Sequence, residues 1–124
     1  MVRCLVASYA ALSGTGVGSW TATTAYPVSE SGQACMISSG NILCVAGETA
    51  EGSSSSNPSF TNAVYYAPVS SGGVGTWKQA ANYPTSVETT CAVSSNNIYC
   101  IGGFDGSSNG EDNDGYYASL TSLT

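Results

Sequence analysis

The sequence writes one cysteine-bearing hairpin twice, as Gln33–Gly47 and again as Thr89–Gly103. Each copy has a pair of turn-forming residues at its centre and a cysteine on either side. If Ser39-Gly40 and Ser95-Asn96 are two-residue loops, facing residues sum to 79 in the first hairpin and to 191 in the second, and Cys35 with Cys44 and Cys91 with Cys100 satisfy those sums. Counting outward from the loop places both pairs at non-hydrogen-bonded positions, where Cα atoms lie about 4.5 Å apart, near the short end of disulfide reach. The alternative is a pair of reduced cysteines packed side by side as small hydrophobes. The recurrence of the arrangement, and a composition that reads as secreted, favour the disulfide.

Pleat alternation puts Cys35, Ile37, Ile42 and Cys44 on one face of the first hairpin and Met36, Leu43 and Val45 on the other. The second divides the same way, Cys91, Val93, Ile98 and Cys100 against Ala92, Tyr99 and Ile101. Both faces are apolar. Such strands suit the inside of a propeller, where a neighbouring sheet lies on each side, better than a sandwich with one polar face.

The hairpins belong to a longer repeat. Tyr9-Ala10-Ala11-Leu12 returns as Tyr66-Ala67-Pro68-Val69, Gly16–Trp20 as Gly73–Trp77, and Tyr26-Pro27 as Tyr83-Pro84, all at a shift of 57 (66 − 9). The cysteines return at 56 (91 − 35), and Tyr116–Leu120 repeats Tyr65–Val69 at 51 (116 − 65). Four strand-like runs make one unit: A with the first cysteine, B with the second, C at the Tyr-Tyr-Ala run and D from the Trp. Short β-rich runs bounded by Gly, Ser, Asn and Pro predict strands throughout, with no useful helical period. The chain reads C, D, A, B, C, D, A, B, C, with units over about 7–64 and 65–124, and so is expected to start and end mid-unit within one segment, 1–124.

These residues resemble kelch-type β-propeller repeats. The likeness lies in the apolar strand ending in a diglycine (Ile98–Gly103, altered to Val45-Ala46-Gly47), the Tyr ahead of the next strand (Tyr65, Tyr66, Tyr116, Tyr117) and the Trp downstream (Trp20, Trp77). The Tyr-to-Trp spacing is longer than in the usual kelch pattern, and the paired cysteines point to an extracellular, cysteine-containing subgroup. The resemblance implies an all-β fold of kelch-like β-propeller blades, four-stranded antiparallel repeats of about 56 residues, with roughly two blades present and the ring incomplete. It also implies that Trp20 and Trp77 fill gaps between blades.

Composition narrows the function. Of 124 residues only two are basic against eight acidic, giving a net charge of −6, and nucleic acid is excluded because phosphate binding needs clustered Lys and Arg. Membrane insertion is not expected, since no apolar run reaches about 18 residues. Leu5–Leu12 has the character of an export-signal core, but it matches a repeated strand and reads as structure. Charged residues are 8% of the chain, far below the roughly 25% of an average domain, which with the cysteines indicates an extracellular or cell-surface protein.

There is no His, so Ser-His and Cys-His nucleophiles are excluded within this chain, and the reading is a non-enzymatic module. Acidic residues gather at Glu48 and Glu51 in one long loop, and at Asp105, Glu111, Asp112 and Asp114 in another. Asp105, Asp112 and Asp114 offer oxygen ligands for calcium, the one cofactor considered, although a bidentate Glu at the required distance is missing and a solvated acidic loop is the plainer reading. In an up-and-down blade the B–C and D–A loops share a face, which collects Tyr26, Tyr83 and these acidic residues as the expected recognition surface. A structural, self-assembling or protein-binding unit is the first reading; a carbohydrate-binding or carbohydrate-active propeller using that face is the alternative. Two repeats cannot close a ring of about four to eight blades. Further blades are therefore expected as partners, in the same polypeptide or in identical chains forming a ring or filament. Cys4 falls outside the repeat, aligning with Thr61.

Overall fold

A computed structural model describes residues 7–49, 59–107 and 110–120. Every regular element among them is a β-strand, and all pairing is antiparallel. The chain opens with β1 (Ala7–Tyr9), β2 (Leu12–Ser13), β3 (Gly16–Val17) and β4 (Thr21–Thr23), where β1 pairs with β4 and β2 with β3. A six-stranded sheet follows from β5 (Glu30–Ser31), β6 (Ala34–Ser38), β7 (Asn41–Thr49), β8 (Ser59–Ser70), β9 (Gly73–Val74) and β10 (Lys78–Gln79). Its spine runs β6-β7-β8-β10. The third group is a meander of β11 (Glu88–Ser94), β12 (Asn97–Phe104) and β13 (Glu111–Ser119).

The hairpin registers follow from their turns. Ser39 and Gly40, like Ser95 and Asn96, all have positive φ (47°, 75°, 50° and 64°), the type I′ geometry whose twist matches that of paired strands. Cys35 therefore faces Cys44 and Cys91 faces Cys100. Each pair is a disulfide, with Cα atoms 4.1 Å apart. Bonds of this kind form in oxidising surroundings. The next strand is also set equivalently in both sheets: Cys44 faces Tyr65 and Leu43 faces Tyr66, as Cys100 faces Tyr116 and Tyr99 faces Tyr117.

Strand B does not stop at its glycines. The pairing slips by one residue between Val45 and Gly47, and between Ile101 and Gly103, and then continues as Glu48↔Phe60 and Phe104↔Glu111. These are β-bulges, which hold one extra residue while the ladder goes on. Of the residues read from sequence as two long loops, Glu48, Thr49 and Ser59–Val64 in the first and Phe104 and Glu111–Gly115 in the second are strand extensions. Ala46 takes the left-handed φ of 55° that its counterpart Gly102 takes at 62°, at a cost of about 1 kcal/mol for the added Cβ.

The core lies between the second and third sheets. Leu43, Val45, Ala46 and Val64 from one meet Ile98 and Cys100 from the other, closed by Val87 and Tyr83 from the connecting segment. Gly47 N donates to Val87 O at 2.9 Å, tying the two sheets through the backbone. Along β7 both faces are covered, since Leu43, Cys44, Val45 and Ala46 are all buried. Along β12 one face is covered, by contrast: Ile98 and Cys100 are buried, whereas Ile101 is 69% exposed, and Tyr117 beside it on β13 is 75% exposed. The expectation of two covered faces fails there because no described strand packs on that side.

Candidate functional site

Each Tyr-Pro corner places an aromatic ring over the third strand of the following sheet. Tyr26 meets Tyr65 edge-on at 5.5 Å, and Tyr83 meets Tyr116 edge-on at the same distance. Since 83 − 57 is 26 and 116 − 51 is 65, these contacts are counterparts. Tyr26 also packs against Trp77 at 4.9 Å, and Trp77 Nε1 donates to the Thr24 carbonyl at 3.4 Å. Trp77 is half-buried and joins the two repeat units through Tyr26 and Thr24. Trp20 is 70% exposed, and no aromatic ring among the described residues packs on it.

Neither corner tyrosine is a free recognition platform. Tyr83 is a core residue, 8% exposed, and burial raises its pKa, with the charges of Asp112 and Asp114 adding to the shift and the Thr89 hydroxyl opposing it. Its ring nevertheless borders an open apolar cavity of about 280 Å³ between the sheets, shared with Ala81, Pro84, the β13 residues Tyr116 to Ser119, and Leu120. Tyr26 is half-buried, and its hydroxyl is enclosed without a hydrogen bond. Burial, and then the neighbouring Glu30, push its pKa well above the usual phenol range.

Sequence reasoning missed Glu30. Counting 57 back from Val87, the most enclosed side chain of the core, lands on Glu30 (87 − 57), so a carboxyl group occupies an apolar slot. Both of its oxygens are enclosed without a hydrogen-bond partner. Burial raises its pKa, and the Tyr26 hydroxyl opposes the shift without completing a hydrogen bond of ordinary geometry. The folded chain therefore holds this proton more tightly than the unfolded chain does. The folding penalty is small below the ordinary carboxyl pKa, grows as pH rises through the folded value and is fully present above it. Glu30→Gln is expected to melt at a higher temperature than the parent at neutral pH, with the difference shrinking toward about pH 4, near the ordinary carboxyl value. Thermal melts of both proteins across that range check it.

The described acidic candidates sit on three different segments. Glu48 ends β7 and lines a cleft of about 250 Å³ with Ser29, Glu30, Ser31 and Thr49. Asp105 is turned inward on its own loop, accepting from Ser107 N at 2.8 Å, and that bonding holds its pKa low. Glu111, Asp112 and Asp114 lie on strand β13 rather than in a loop, and Asp112 Oδ1 accepts from Asp114 N at 2.9 Å. Among the described residues no three His, Cys, Asp or Glu side chains converge as metal ligands, so Asp105, Asp112 and Asp114 do not form a calcium cage. Glu51 and Cys4 lie outside the described residues.

The feature with most capacity for recognition is therefore the outer side of the third sheet. It combines exposed Tyr99, Ile101 and Tyr117, the edge of β13 around Tyr117 to which no described strand pairs, and the cavity beside Tyr83. Tyr99 and Tyr117 stack on one another at 6.0 Å, which stiffens this face. The sequence matches no protein-family model and no curated protein.

Proposed function

We infer that the chain is a kelch-like β-propeller segment, a non-enzymatic extracellular unit of two disulfide-bearing repeats whose task is structural assembly with further sheets of its own kind. One observation carries this reading. Within the chain, the face bearing Met36, Leu43, Val45 and Tyr66 is covered by the disulfide face of the next sheet. In equivalent register the third sheet presents Ala92, Tyr99, Ile101 and Tyr117 to solvent. Exposed apolar side chains grouped on one sheet face mark an interaction site. The sheet that fits such a face is already present in the chain, and the contact is head-to-tail, so it builds a ring or a filament. The edge of β13 around Tyr117, to which no described strand pairs, adds a second reason for association, because an unpaired strand edge is a template for another strand.

Sedimentation velocity at micromolar protein concentration tests the proposal. Species heavier than the 12.5 kDa chain are expected. A compact 12.5 kDa monomer at every concentration would overturn the reading.

A further inference from the structure

The cavity beside Tyr83 has a filled counterpart in the same molecule, and that counterpart says what belongs in it. In the preceding unit the indole of Trp77 packs on Tyr26 and bonds the Thr24 carbonyl, while the strand it introduces, β10, pairs with β8 through Lys78↔Tyr66. Moved by 57, Tyr26 becomes Tyr83 and Thr24 becomes Ala81, and both line the open cavity. Moved by 51, Tyr66 becomes Tyr117 on β13, whose second edge pairs with no described strand at that residue. The cavity is where a Trp would stand at the start of a fourth strand, and an indole is smaller than 280 Å³.

The chain also holds the matching piece. Trp20 is 70% exposed and introduces β4, the counterpart of β10: Thr21 pairs with Tyr9 as Lys78 pairs with Tyr66. Resting on the assembly proposed above, we propose that Trp20 of a second copy inserts into the cavity lined by Tyr83 and Ala81, and that β4 of that copy completes the third sheet by pairing with β13. Thr21 of the second copy then faces Tyr117. On β4, which is three residues long and pairs with β1 along its whole length, β13 takes the place of β1. The contact uses a different surface on each copy, so it propagates head-to-tail. It also brings the exposed Tyr99, Ile101 and Tyr117 face against the disulfide hairpin of the second copy, where Ile37 is exposed.

The test uses two variants of the full chain at positions that leave each fold its core. Trp20→Ala removes the inserting side chain. Ala118→Phe, at an exposed residue of β13 bordering the cavity, fills the receiving space. Sedimentation velocity is run on each variant alone and on their mixture, after intact disulfides and a β-type circular dichroism spectrum show that each has folded. Loss of assembly is expected in both variants alone, together with recovery of a 1:1 complex in the mixture, since one inserting Trp20 and one open cavity remain. Assembly of Trp20→Ala equal to that of the parent would overturn the insertion while leaving the assembly reading standing. A mixture that stays monomeric overturns it as well. A parent chain that never associates would instead overturn the assembly reading itself, and the insertion with it.

Discussion

Gly103→Ala should lower stability by about 3 kcal/mol, the largest loss expected from a methyl group added at any described glycine. Gly103 has φ of 138°, a region L residues rarely adopt, and a Cβ there would collide with the Glu88 carbonyl oxygen and stand 2.7 Å from Val87 Cγ2. Both obstacles belong to the segment that leads into β11, and Val87 is fully enclosed, so neither can swing aside. Relief would require the second strand of the third sheet to move away from the core. Gly40→Ala provides the control. Its φ is also positive, at 75°, but a Cβ there meets nothing within 4 Å, and only the backbone cost of about 1 kcal/mol applies. Urea midpoints for the two variants, read against the parent, should differ by about 2 kcal/mol. Equal midpoints would mean that the close approach of Gly103 to Glu88 is wrong.

Removing the second disulfide should cost nearly as much. Cys91 and Cys100 close a short loop, nine residues apart in sequence, and constraining a loop of that size in the unfolded chain is worth about 2–3 kcal/mol. Cys100 is also a core residue beside Ile98 and Tyr83, so Cys91→Ala with Cys100→Ala removes packed sulfur from between the sheets. Urea unfolding of the double alanine variant should show the loss, and reducing the parent with dithiothreitol should reproduce most of it. A loss below about 1 kcal/mol would mean that the type I′ turn already holds the hairpin closed in the unfolded chain.

The parts of this fold that a reader of the sequence can find are those set by short-range geometry. A two-residue loop fixes which residues face one another, and a cysteine on each side of Ser39-Gly40 and Ser95-Asn96 makes that register checkable by addition. The internal repeat extends the same arithmetic to the Tyr65 and Tyr116 strands. What escapes is set by neighbours far apart in sequence. Glycine pairs ordinarily signal a strand end, yet Ala46-Gly47 and Gly102-Gly103 form bulges, and the ladder carries Glu48, Glu111 and Asp112 along as strand residues. Tyr83 resembles a loop aromatic until the Tyr116 ring and the facing sheet enclose it. Glu30 gives no signal in isolation, and becomes conspicuous only when its repeat partner Val87 is seen fully enclosed.

Trp20 escapes in the same way: it repeats Trp77, yet Trp77 packs on Tyr26 while Trp20 is 70% exposed, and nothing local in the sequence separates the two. One structural element, the third sheet, thus collects the open edge, the apolar outer face and the cavity.

Amide hydrogen exchange along β13 tests that assignment most directly. The amides of Glu111–Ala118 that do not bond to β12 should exchange quickly in dilute protein and slow at least tenfold as the concentration rises into the assembling range, with Tyr117 among the protected positions. Rates on β13 that stay fast and unchanged at every concentration, while the protein assembles, would contradict the account.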